Sequence, residues 1–105
     1  MSRVVVSKEF SRHPAGRFQS DGPFSGEAFR QRYLIPALKR GERLILDMDG
    51  ARGYGSSFLE EAFGGLVRAG FAPMEIREKI EIQTSDKSLE LEIWSYVDDA
   101  ARMAQ

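Results

Sequence analysis

The residues best suited to chemistry are gathered in one stretch, Asp47-Met48-Asp49-Gly50-Ala51-Arg52-Gly53-Tyr54-Gly55-Ser56-Ser57. Asp47 and Asp49, two apart on an extended strand, share a side, and paired carboxylates are what a hard cation such as magnesium takes. The same pair can instead cap a strand exit by accepting loop amides. No His, Cys or Lys stands beside them to complete a catalytic set. Gly53, Gly55 and the serines then read as a glycine-rich loop feeding a helix start, where outward-pointing amides favour negative charge. A dinucleotide fingerprint is not completed, because Phe58 holds the third glycine position, and no P-loop lysine follows. Glycine can equally be present only for the backbone angles of a tight connection. Ser56, His13 and an aspartate would form a hydrolase triad on paper, but there is no GxSxG elbow. An enzyme is therefore not expected.

The two serines differ in position. Ser57 and Glu60 have capping-box spacing, so Ser57 is expected to cap the helix while Glu60 reaches back to it. Ser56 lies one step outside and keeps its hydroxyl for solvent. A phosphoryl group there would gain from the helix dipole and add about −2 of charge, which makes Ser56 a candidate phosphoacceptor.

The elements that must hold this loop follow from patterning. Val4-Val5-Val6 suits a buried strand, and a short strand around Arg17 to Ser20 could pair with it. Phe10, Phe18 and Phe24 are expected to pin residues 7–24 to the body. Ser25 caps a helix carrying Phe29, Tyr33, Leu34 and Leu38 on one stripe, with a kink or fresh turn at Pro36 and an end at Gly41. Leu44-Ile45-Leu46 reads as a strand covered on both faces. A helix over about 58–69 follows, and Gly64-Gly65 inside it implies a close approach by another backbone. Pro73 opens a short turn through Arg77, Lys79 to Gln83 alternates as a strand, and Asp86 caps a last helix. The expectation is a single α/β domain over residues 1–105, with a small mixed sheet of about four strands and three to four helices.

Composition narrows the class. The chain has 105 residues, 42% hydrophobic and 30% charged, with net charge −1 and no cysteine. Disulfides, thiolate metal sites and thiol catalysis are excluded, and a single His cannot build a multi-histidine zinc site. No signal-like or membrane-length apolar run is present, so a cytoplasmic location is expected, with no membrane partner. Residues 1–45 carry nine Lys/Arg against four Asp/Glu, which leaves the remainder acidic. Nucleic-acid binding through Arg12, Arg17, Arg30 and Arg32 is conceivable only if they share a face, and Arg30 and Arg32 are poorly spaced for one helical side.

At the loop the chain resembles the STAS superfamily, the domain of sulphate transporters and anti-sigma-factor antagonists. Leu44 to Asp47 match its apolar strand, Ser56-Ser57 its serine pair and Leu59 its apolar helix position, while Gly55 and Phe58 stand where Asp and Gly are usual. More closely, it resembles the STAS-like family of unknown function, through Ser25-Gly26-Glu27, Phe29-Arg30, Leu34 with Pro36, and Ser56 to Gly64. The resemblance implies a protein-interaction module with no cofactor and a histidine-kinase-like ATPase as partner, phosphorylation of Ser56 releasing that partner. The partner-binding loop would be Arg52, Gly53, Gly55, Ser56, Ser57 and Glu60, with Glu60 and Glu61 shaping the charge it presents. A small-anion or nucleotide sensor at the same helix start is the alternative.

Overall fold

A computed structural model describes residues 1–104. Three four-residue strands, β1 (Ser2–Val5), β2 (Leu44–Asp47) and β3 (Ile80–Gln83), form one sheet in the order β1-β2-β3, parallel throughout. The register aligns Val4, Leu46 and Ile82 in one row and Val5, Asp47 and Gln83 in the next. The first row is buried and forms the floor of the core. The second, with the Arg3, Ile45 and Glu81 row, lies on the opposite face, where Arg3 donates to Asp47 Oδ2 at 3.0 Å and to Gln83 Oε1 at 2.7 Å. β2 is thus covered on one face rather than two. Its second face is closed by polar side chains instead of helices.

Among the described residues five helical segments make the second layer, one more than expected because the chain turns immediately after β1 into α1 (Val6–Glu9). The next runs as α2 (Gly26–Phe29), a π-turn (Arg30–Leu34) and α3 (Ile35–Arg40). Pro36 opens α3 just after the π-turn, where its missing N–H costs least. Gly41 ends it at φ 68°. A second helix has the same construction: α4 (Ser56–Leu59), a π-turn (Glu60–Gly64) and α5 (Gly65–Arg68). α6 (Pro73–Lys79) leads into β3, and α7 (Lys87–Met103) is capped by Asp86, which accepts from the amides of Ser88 and Leu89. Among the described residues no helix is long and apolar enough to cross a membrane.

The mixed, four-stranded expectation fails at residues 17–20, which form no strand. The amide of Phe18 is taken by the Asp21 side chain and Gln19–Asp21 makes a 3₁₀ turn. The carbonyls of Gly16 and Arg17 accept from the first amides of α2, Gly26 and Glu27, at 2.9 and 3.0 Å. Those backbone groups therefore cap a helix and are not available to β1. Phe10 and Phe24 do pin the segment, in edge contact at 5.5 Å, but Phe18 projects into solvent.

Candidate functional site

The loop after β2 is stitched at both ends. Asp47 Oδ1 accepts from the Asp49 amide, and Asp49 accepts from the Ser85 amide and the Thr84 and Ser85 hydroxyls. The Ser85 amide is the main reason the Asp49 carboxyl is held below the ordinary carboxylate range. Both aspartates therefore close strand exits, and among the described residues they belong to no cluster able to hold a metal ion. Gly50 sits at φ 91°, and a Cβ there would lie 2.7 Å from Ser7 Oγ, so glycine is required twice over. Tyr54 crosses beneath the loop, donating to the Met48 carbonyl at 2.7 Å with its ring 6.0 Å from Phe58; burial pushes its hydroxyl pKa up. The Arg52 amide donates to the Arg12 carbonyl at 2.8 Å, bringing two exposed loops together. His13 is exposed, and nothing in its bonding links it to Ser56.

The helix start differs from the capping-box expectation. Gly55 is the N-cap, at φ −66° and ψ 150°, with no side-chain cap bond, so Ser56 and Ser57 are already the first two helical residues. Glu60 does not reach back to Ser57. It is drawn the other way by Arg17 at 2.5 Å and Arg68 at 2.7 Å, and Arg68 is the larger cause of its depressed pKa. Both serines are exposed, and among the described residues neither hydroxyl has a hydrogen-bond partner. The amides of Ser56, Ser57 and Phe58 are likewise free, the first intrahelical bond being Leu59 to the Gly55 carbonyl. α2 is the internal contrast, its first three amides all capped by Gly16, Arg17 and the Ser25 hydroxyl. One helix start is sealed and the other is open.

Glu60 and Glu61 are not a free acidic surface. Glu61 is 7% exposed and accepts from Arg30 at 2.8 Å, with Arg17 and Arg68 at 3.3 and 3.5 Å. Arg30 lies flat over Gly65, where a Cβ would stand 2.1 Å from Nη1, and Gly26 brings α2 onto the Phe58 carbonyl, 2.3 Å from where its own Cβ would be. At Gly64 a Cβ would stand 2.5 Å from Glu60 Oε2 and 3.3 Å from the Tyr96 carbonyl of α7. The glycine pair thus marks close approach chiefly by the charged side chains of Arg30 and Glu60, with the Tyr96 carbonyl as the nearest backbone. Arg30 opens one π-turn and Glu60-Glu61 open the other, so this ion network joins the two bulged helices. Sequence reading missed the network, because Arg17 and Arg30 reach their partners across 31 to 44 residues. Phe58 is fully buried against Phe29 and Tyr54, so the departure from glycine fills the core and leaves the serines untouched.

A cavity of about 510 Å³ lies across the loop from β3 to the start of α7. Asp49, Asp86 and Glu92 line it and no cation does. With this geometry in place, comparison with protein families is decisive: a model described as the STAS-like domain of unknown function (DUF4325) matches residues 25–90, and the chain belongs to that family. Searches of curated proteins and of solved structures gave no match. The matched span includes α2, both π-turns, the serine pair and β3.

Proposed function

We propose that the chain is a non-enzymatic regulatory interaction module, resembling anti-sigma-factor antagonists, whose switch surface is Arg52 to Ser57 with Ser56 as phosphoacceptor. The observation that supports this reading is the open start of α4: a bare Ser56 hydroxyl beside three unpaired amides, in a helix whose counterpart α2 is fully capped. A phosphoryl group there meets the positive end of the helix and changes the surface charge by about −2. The partner is a histidine-kinase-like ATPase. Gel filtration with a histidine-kinase-like ATPase from the same genome tests the pairing: the wild type should co-elute, Ser56→Ala should co-elute with or without ATP, and Ser56→Asp should not. Equal behaviour of all three variants would remove Ser56 from the mechanism.

The small-anion reading draws on the same free amides. It is weakened by the carboxylates of the adjoining cavity. A nucleotide present at a hundred times its dissociation constant would stabilise the fold by about 2.7 kcal/mol, so a thermal-shift screen separates the two.

A further inference from the structure

Eleven arginines fall among the described residues, and eight of them are ion-paired. The other three, Arg12, Arg32 and Arg52, are all exposed, and the segments that carry them meet beside Phe10. Arg52 and Arg12 are joined by their backbone bond of 2.8 Å. Arg32 sits over the Phe10 ring, 5.4 Å from its centre and two residues along from Arg12, and 5.5 Å from the ring of Tyr33. We infer that this face is a docking surface for an acidic segment of a protein partner. The inference deepens the reading above, since it gives the chemistry of the partner that meets the loop beside Ser56.

Three features favour it. Guanidinium groups pair with carboxylates through two parallel hydrogen bonds, and elsewhere on this molecule they do so. Arg32 is held over two aromatic rings, and the backbones that carry Arg12 and Arg52 are tied together, so part of the ordering cost of binding is already met. Among the described residues none of the three has a carboxylate of its own, which a partner's acidic side chains would supply. A short acidic segment fits the patch better than nucleic acid does. Phe10, at its centre, is buried in edge contacts with Phe24, Phe29 and Tyr33 and offers no base a stacking face. The far side of the Arg52 loop is walled by Asp49, Asp86 and Glu92, which a long polyanion would meet. Arg17 and Arg30, which a nucleic-acid surface would need, are committed to Glu60 and Glu61.

The test uses the full chain and a fluorescein-labelled peptide alternating Glu with Gly, followed by anisotropy at low salt and by amide shifts. Shifts should gather at residues 10–13, 32–33 and 51–54. Arg12→Glu with Arg52→Glu should weaken binding by about tenfold or more, and Arg32→Gln should weaken it less. Arg40→Glu with Arg102→Glu, an equal charge change elsewhere, should leave binding within about twofold. The peptide is read without ATP or any kinase, so failure of the phosphoacceptor reading and failure of this one are told apart. Equal losses in the two double variants would overturn the inference. So would tighter binding of a labelled duplex DNA to the same arginines, or an Arg12-dependent dimer in sedimentation, which would make a second copy the occupant.

Discussion

Replacing Glu61 by alanine removes the carboxylate at the junction of the two π-turns. Arg30, with 12% of its side chain exposed, loses its only carboxylate and keeps only the residue-61 carbonyl. Arg17 and Arg68 retain Glu60. Breaking a buried ion pair by deleting one member costs about 3–5 kcal/mol, and the retained carbonyl bond places this case near the lower end, about 3 kcal/mol. Glu60→Ala removes a carboxylate that is 26% exposed and leaves Arg17 and Arg68 with access to water, so its cost is about 1 kcal/mol. The readout is urea unfolding followed by the fluorescence of Trp94, the single tryptophan. A difference of about 2 kcal/mol between the two variants is expected. Replacing Arg30 and Glu61 together by methionine should recover most of the loss, because no charge is then stranded. Equal costs for Glu61→Ala and Glu60→Ala, or no recovery in the double variant, would refute the assignment of Glu61 as the buried centre of the network.

Other consequences are open to simple measurement. Gly55→Asp meets no neighbouring atom and keeps an ordinary φ of −66°, so it should supply the missing cap and raise stability by a few tenths to about 1 kcal/mol in thermal melts. Gly50→Ala, at φ 91° and against Ser7, should instead cost about 1–3 kcal/mol in the same assay. The Glu60 carboxyl is depressed by Arg68 and Arg17 below its usual 4.5, so its contribution is complete above that pH and is lost as pH falls through the folded-state value. Urea midpoints should therefore decline below about pH 4.5, and Glu60→Gln should flatten that decline. Tyr54→Phe removes the bond to the Met48 carbonyl and should cost about 1 kcal/mol, with faster amide exchange confined to the loop after β2.

Local signals explain which parts of the molecule could be foreseen. Asp86 and Ser25 cap their helices because a short oxygen acceptor ahead of an apolar-periodic run has few other uses. The alternation at Ile80, Glu81 and Ile82 gives a half-buried strand, and the family resemblance is confirmed over residues 25–90. The exposed Ser56 follows from its place at the loop-to-helix junction. The misassigned strand near Arg17 had suitable residues, but its backbone groups were claimed by α2, a decision made by tertiary contact. The same is true of Ser57 and Glu60, whose spacing is right for a capping box. Two arginines from distant elements offered Glu60 a stronger partner than a backbone amide could. β2 has a wholly apolar start yet is covered on one side only, because its neighbours place Arg3 and Gln83 on the other. Within β2 only Asp47, on that same face, records it.

The most direct test of the central claim is phosphate mapping by mass spectrometry, after incubating the chain with ATP and a histidine-kinase-like ATPase from the same genome. The open start of α4 predicts a single added phosphate on the Ser56 peptide, absent from Ser56→Ala. A chain that stays unmodified, or carries its phosphate away from residues 56 and 57, would contradict it.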